Sequence, residues 1–386
     1  MPFEARGMTL EVIPSIVQQI GSIMQDPAPL REIIREKIRH DGPLTFRDFM
    51  EISLYHPHFG YYCSPRPRLG GDGDFYTNAY ITGLFGELLA HQFEEMWQAL
   101  GRGPLTVVEY GAGTGLLCRD ILYRLKENAP LYDKLNYFII EKSAAMRERE
   151  RRLLPGTVEW RGSIREIGPV TGCIFSNELV DNFSVHRVLM EDELMEIYVS
   201  YDRDFIEILR PASEMLKDYL TRLGIKLPWG YRAEINLEAT RWIQDLGQAL
   251  RRGWVMTIDY GYSAAALYSK RTGTLACYHR HRVHHCPYEN IGEQDITTHV
   301  NFTALDHWGR RKGLELGGFT NQTHFLQGLG LTGKLRTREE SGIEEGDRRQ
   351  LRYFLMEMGQ KFKVLIQHKG VGQVPLSGLV FSDLLW

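Results

Sequence analysis

The stretch Val107-Val-Glu-Tyr-Gly-Ala-Gly-Thr-Gly-Leu-Leu117 decides the fold. It opens on apolar, β-branched residues, breaks at Gly111, Gly113 and Gly115, and runs directly into the helical spacing of Leu116–Lys126. An apolar strand, a glycine turn and a helix in that order predict one unit of a parallel sheet, with the chain turning where no Cβ obstructs it. Outward from this unit, strands are expected over Tyr137–Glu141, Cys173–Ser176 and Trp254–Asp259, alternating with helices over Ala144–Leu153 and Leu237–Leu250. That alternation predicts an α/β fold with helices on both faces of a parallel sheet.

Three segments depart from the alternation. His186–Leu209 pivots on Glu191-Asp-Glu193 and predicts a hairpin inside a β-rich insertion of about 186–230. Phe362–Gln367 reads as a late strand. At the front, Leu10–His40 reads as two helices joined at Asp26-Pro-Ala-Pro29, followed by loops over Tyr55–Tyr62 and Leu69–Thr77 and a helix from about Gly83 to Gln98. The expected division is therefore an N-terminal helical and loop cap, 1–100, and a Rossmann-like main domain, 101–386, that carries the insertion.

Composition narrows the function. Lys and Arg number 46 against 49 Asp and Glu, a formal charge of −3, which argues against a dedicated nucleic-acid binder. The five cysteines, Cys63, Cys118, Cys173, Cys277 and Cys286, include no C-x-x-C pair, so neither a disulfide framework nor a zinc ribbon is indicated. No apolar run approaches the roughly 18 residues of a membrane span, so membrane insertion is not expected. The start of the chain lacks secretory or transit character, and a cytoplasmic protein is expected. Nothing in the sequence sets an oligomeric state.

Two acids flank the glycine loop. Glu109 stands at the end of the first strand, where its carboxylate is expected to face the mouth of the crevice, and Glu141 ends the second strand, the usual place for gripping ribose hydroxyls. Three readings compete. A dinucleotide fingerprint needs G-x-G-x-x-G to cradle a pyrophosphate, but here the third glycine falls two residues after the second, and Glu109 would repel phosphate. The same acid suits the methionine ammonium of S-adenosylmethionine (SAM), so SAM is the favoured cofactor, with Glu109, Gly111, Ala112, Gly113, Gly115 and Glu141 as its expected contacts. A structural turn without a ligand is the third reading.

Beyond the loop, His56-Pro-x-x-Gly-Tyr-Tyr62, Gly73-Asp-Phe-x-Thr77, Phe85-Gly-Glu87, Asn177-Glu-Leu-x-Asp181, Ile258-Asp-Tyr-Gly261, Gly273-Thr-Leu275, Gln294-Asp-Ile-Thr-x-His-Val300 and Met358-Gly-x-x-Phe-Lys-Val-Leu365 follow in order. With Glu109-x-Gly-Ala-Gly-x-Gly115 they resemble the MidA-like family of SAM-dependent methyltransferases over nearly the whole length. The resemblance implies a class I methyltransferase fold, SAM as cofactor and a protein arginine as acceptor, since the mitochondrial member is a complex I assembly factor that methylates one. Asn78-Ala-Tyr80 and Asp181-Asn-Phe-Ser184 depart from the family's usual Ser-Pro-Glu and Asp-Ala-Leu-Pro.

The acceptor is expected where polar groups follow the strand ending at Ser176. If the turn there is helical, Glu178 and Asp181 share a face and form a two-carboxylate fork for a guanidinium, with Asn177 beside them and beside the cofactor. The structural alternative is a helix N-cap at Asn177 with acids in the first turn. Gly73, Asp74 and Thr77 are expected to close over the cofactor as a lid, or to form a solvated loop. Asp259-Tyr260 either meets the acceptor or packs, and His299 is either a general base or a structural histidine. His279-Arg-His-Arg-Val-His-His-Cys286 has zinc-type residues, but its spacing is irregular and Arg280 and Arg282 would oppose a cation, so a basic loop and no metal are expected. The leading function is a methyltransferase acting on a client protein. A SAM-binding assembly factor without turnover, and a small-molecule methyltransferase, are the alternatives.

Overall fold

Apolar residues at successive positions of several strands demand cover on both faces of the sheet they form. The computed structural model describes residues 29–63, 79–340 and 359–382. Its first strand, β1 (Leu44–Thr45), stands apart from the main sheet, which begins with β2 (Leu105–Tyr110), β3 (Leu135–Ile140), β4 (Val158–Arg161) and β5 (Val170–Asn177). An excursion through β6 (His186–Met190), β7 (Leu194–Asp202), β8 (Asp204–Pro211) and β9 (Arg232–Ile235) precedes β10 (Leu250–Tyr262). A small sheet of β11 (Ala276–His279), β12 (Arg282–His284) and β13 (Asp295–Thr297) follows, then β14 (Val300–Asn301), β15 (Glu315–Asn321) and β16 (Phe362–Lys369).

The main sheet runs β15-β16-β10-β5-β2-β3-β4, with β14 joined to β10. Its five central and outer strands from β10 to β4 are parallel, while β16 and β15 are antiparallel additions. The order steps outward from β2 to β3 and β4, then returns to β5 on the other side of β2. That reversal opens a crevice at the carboxyl ends of β2 and β5, the standard ligand position in open α/β sheets. Alternate residues serve opposite faces: Val107, Cys173, Phe175 and Met256 belong to one core cluster and Val108, Ile174 and Val255 to the other.

The expected division at residue 100 is corrected. The helices α1 (Pro29–Asp41) and α2 (Phe46–Tyr55) share a core with Val199 and Phe205 of the insertion and with Leu275, Cys277 and Ile296. β1 also pairs with β7, so the front of the chain and the insertion form one unit. The helix α3 (Ala79–Ala99) instead packs its Leu84, Leu88, Phe93 and Trp97 on the main sheet with α4 (Leu116–Leu125). An apolar stripe specifies burial but not which sheet does the burying. The insertion is a three-strand meander, β6-β7-β8, whose fourth strand β9 returns beside β6 in Greek-key order and ends at Ile235. The hairpin about Glu191–Glu193 is present, with Met190 opposite Leu194. The first of the two expected N-terminal helices lies outside the described residues. None of the described helices is long and apolar enough to cross a membrane.

The remaining helices that frame the site are α5 (Ala144–Leu153) and α6 (Leu237–Ala249). Near the opposite edge of the sheet, β2, β5 and β10 approach so closely at Thr106, Gly172 and Gly253 that a Cβ on Gly172 (φ +150°) would lie 1.9 Å from the Thr106 carbonyl oxygen. Backbone cannot yield there without breaking the ladder. Gly172→Ala is therefore expected to cost about 4 kcal/mol or more, the exceptional end of single substitutions. A thermal melt within a degree or two of the wild type would contradict this.

Candidate active site

The glycine loop forms as the sequence predicts. Gly111, Gly113 and Gly115 have φ of +67°, +57° and +78°, which L side chains rarely adopt. A Cβ on Gly111 would lie 2.7 Å from Leu179 Cδ1, whereas one on Gly113 would meet nothing within 4 Å and would project into open volume. Gly115 plays a different part from the one expected. It is the N-terminal boundary residue of α4, where a Cβ would lie 3.5 Å from Leu153 and Leu154, so it sets the turn beside the end of α5 and is not among the residues lining the cavity.

The open volume is a cavity of about 1020 Å³. It brings together Glu109, Gly111, Ala112, Gly113, Glu141, Asn177, Glu178 and Asp181 of the expected site. Glu109 is only 2% exposed, and its Oε2 accepts a hydrogen bond from the Tyr137 hydroxyl at 2.6 Å. It borders the cavity without reaching its mouth, and burial raises its carboxyl to about 7 while Tyr137 pulls the other way. At Glu141, Oε1 accepts the Ser143 N–H at 2.7 Å, and burial raises the carboxyl. Ile140, Met146 and Ile164 make the neighbouring wall apolar, and Gly162 and Ser163 continue it past the end of β4.

The opposite end is acidic. Asn177 is the last residue of β5, and Glu178 takes a left-handed φ of +52° as its N–H reaches the Ile258 carbonyl at 3.0 Å. The helical turn on which the fork was conditioned does not form over Glu178–Asp181, and the alternative, a helix N-cap at Asn177, is not found either: only Val180–Asn182 form a 3₁₀ turn. The reason is Asp259, wholly buried, whose Oδ2 accepts from the amides of Leu179 at 3.2 Å, Val180 at 2.9 Å and Asp181 at 3.4 Å. A carboxylate from β10 thus takes the role that an N-cap side chain would have filled. Burial still holds the Asp259 carboxyl at about 7 despite those amides.

Asp181 is 3% exposed; the Tyr260 hydroxyl lies beside its carboxyl, yet its Oδ1 completes no hydrogen bond among the described residues. Burial, then the Asp259 charge, pushes its carboxyl well above the usual range. Glu178 is exposed to the cavity and accepts from Asn177 Nδ2 at 3.1 Å, and the protein walls around it, which thin its solvent, raise its carboxyl. Sequence reasoning missed Asp295 as an acid at this end of the cavity, beside Glu178 and Asp181, although its motif was noted. Tyr62 donates to Asp295 Oδ2 at 2.9 Å and Asn182 Nδ2 donates to Oδ1 at 3.1 Å, so it is pinned in place. Tyr55, stacked on Tyr62 at 5.6 Å, and Tyr260, Phe183 and Phe362 supply aromatic walls. Tyr260 therefore borders the acceptor end.

His299 does not border the cavity. It packs edge-on to Tyr260 at 5.3 Å, and burial lowers it to about 4, as befits a neutral structural histidine. The lid residues Gly73, Asp74 and Thr77 lie outside the described residues. The basic loop is a β-hairpin, with Arg280 and His281 at φ +50° and +62° between β11 and β12. It brings ligand atoms of His284, Cys286 and Glu289 within 4.8 Å of one another. The His284 Nδ1 accepts the Cys286 N–H at 3.3 Å.

Comparison with known proteins agrees with this geometry. Residues 88–320 match the family described as "Putative S-adenosyl-L-methionine-dependent methyltransferase". A Burkholderia thailandensis protein crystallised with S-adenosyl-homocysteine is 28% identical, with a TM-score of 0.81 over 98% of this chain and 99% of that one. The mitochondrial protein arginine methyltransferase NDUFAF7 of Homo sapiens is 25% identical over 415 residues, 93% of this chain and 90% of its own. Its Drosophila melanogaster homologue is 24% identical over 379 residues, 89% and 85%.

The raised carboxyl of Glu109 carries a testable consequence. A cation beside it favours the carboxylate, so cofactor binding drives off the proton, and SAM affinity should be full above about pH 7 and fall as pH drops through 7. Calorimetry should show a loss approaching tenfold per pH unit, the limit for one proton. Glu109→Gln should flatten the profile. A profile equally steep in the variant would contradict the assignment.

Proposed function

Because this chain belongs to the family of S-adenosyl-L-methionine-dependent methyltransferases, we propose that it methylates an arginine guanidinium of a client protein, with Glu178 and Asp181 on the acceptor side. The observation that carries the reading is the buried, unpartnered Oδ1 of Asp181 at the acidic, aromatic-walled end of the cavity. The names of the NDUFAF7 relatives support it.

The other end fits the cofactor, through the open space over Gly113, the Glu141 carboxylate and the apolar wall of Ile140, Met146 and Ile164. SAM, when bound, supplies an electrophilic methyl group whose transfer is an in-line displacement, and this asks mainly for positioning, worth roughly 7–11 kcal/mol. Glu178 and Asp181 orient the planar guanidinium. Methylation of a guanidinium releases one proton. A cation at Asp181 ionises that carboxyl, and the resulting carboxylate is the base placed to receive the proton. All five cysteines are unpaired, which supports a reducing compartment such as the cytoplasm, whereas the relatives' names place those proteins in mitochondria.

The test is incubation with methyl-labelled SAM and a fractionated lysate, followed by mass spectrometry of the labelled product. Methylarginine in a protein is expected. Asp181→Asn and Glu178→Gln should each cut transfer tenfold or more with SAM affinity nearly unchanged, since the lost interaction is on the acceptor side. Label on lysine, on a chain terminus or in a small metabolite would overturn the arginine assignment.

A further inference from the structure

The β11–β12 hairpin overhangs the acidic end of the cavity, and its outer edge is open. In the small sheet the order is β12-β11-β13, so among the described residues β12 has no neighbour on its far side. Its turn is the two-residue type with both central φ positive, closed by the pair His279 and Arg282. In such a hairpin the closing pair is hydrogen-bonded and the next pair, Tyr278 and Val283, is not. The N–H and C=O of Val283 therefore point away from β11, toward the open edge. The Val283 side chain is 59% exposed and borders the cavity.

We propose that this edge is a docking site for an extended segment of the protein acceptor, which adds to the sheet at Val283 and aims its arginine into the cavity. The inference rests on the arginine reading above. Residues directly opposite one another across strands share a face. Asp295 stands opposite Tyr278, and Tyr278 opposite Val283, so the three form one row, and all three border the cavity. A residue of an added strand that exchanges hydrogen bonds with Val283 continues the row as its fourth member. It lies three strand spacings, about 14 Å, from Asp295. An arginine side chain laid back across Val283 and Tyr278 covers about half of that span, and the Asp295 side chain with one hydrogen bond nearly completes it, so the guanidinium arrives at the acids.

The same register selects the neighbour of the target. Arg282 precedes Val283 and projects from the opposite face. The docked residue opposite Arg282 is adjacent in sequence to the arginine, and an acidic side chain there pairs with Arg282 and approaches the exposed Arg280 at the turn. The occupant is thus an extended polypeptide with an acidic residue immediately beside the target arginine. The charges are complementary at both levels: acids in the cavity for the arginine, and arginines on the hairpin for its neighbour.

The test uses the full chain, methyl-labelled SAM and a synthetic peptide library with one fixed arginine and randomised neighbours. Agmatine serves as a guanidinium probe that needs no docking strand. Selected peptides should be enriched several-fold in Asp or Glu next to the arginine, and Arg282→Glu should abolish that preference. Val283→Pro removes the edge N–H at a position where proline is tolerated. It should lower kcat/KM for the best peptide at least tenfold, with Kd for SAM and for agmatine within twofold of wild type. Val283→Thr, which keeps the N–H, should stay within about threefold. Agmatine binding with no peptide methylated, or with Val283→Pro as active as wild type, overturns the docking site alone. No agmatine binding and no methylated arginine overturns the arginine reading and the docking site with it.

Discussion

Three backbone amides converge on one buried carboxylate. Asp259, three residues before the end of β10, draws in the N–H groups of Leu179, Val180 and Asp181, and the path of the chain after β5 follows from it. Without that acceptor the amides would be orphaned inside the protein, at a cost of about 1–3 kcal/mol each. With it, Glu178 is forced into a left-handed conformation and Asp181 is held beside the Tyr260 hydroxyl with one oxygen that completes no hydrogen bond among the described residues. Leu179, fixed by the same contact, presses on Gly111 so tightly that a side chain there would collide with it. One interaction therefore shapes both the acceptor end of the cavity and the back of the glycine loop.

The cavity is divided by chemistry more than by a wall. Toward β3 and β4 it offers open backbone, an apolar surface and the Glu141 carboxylate, a combination suited to a nucleoside. Toward β13 it gathers Glu178, Asp181 and Asp295 among tyrosines. Acids brought together in a low dielectric resist ionisation unless a cation joins them. The arrangement is therefore costly for the empty protein and becomes favourable when a cationic side chain arrives, which is what a cation-selective acceptor site requires.

Much of this was legible because it is local. The Gly111-x-Gly113-x-Gly115 turn, the strand before it and the helix after it need only neighbouring residues, and Glu109 and Glu141 follow from strand ends. The conformation of Asn177–Asp181 was not legible, because it is dictated by Asp259, some 80 residues further on. Asp295 was visible in its motif, but its part depends on β13 pairing with β11, and that register is long-range. The helix α2 was overlooked although Thr45-Phe-Arg-Asp48 carries its start signal, with Thr45 Oγ1 accepting the Asp48 N–H at 3.1 Å. The allotment of α3 to the main sheet rests on which apolar surface it meets, and periodicity does not state that.

The most direct measurement is agmatine and SAM binding by calorimetry in Asp259→Asn. The amide cannot accept as the carboxylate does on both sides, because Oδ2 receives the Leu179–Asp181 amides and Oδ1 the Tyr260 N–H at 2.9 Å. Either orientation of the asparagine sets an NH₂ against a backbone N–H. With the fold intact by circular dichroism, agmatine affinity should fall at least tenfold, and by a larger factor than SAM affinity, which Asp259 touches only through the Leu179 contact with Gly111. Agmatine binding equal to wild type would contradict the claim that Asp259 builds the acceptor site.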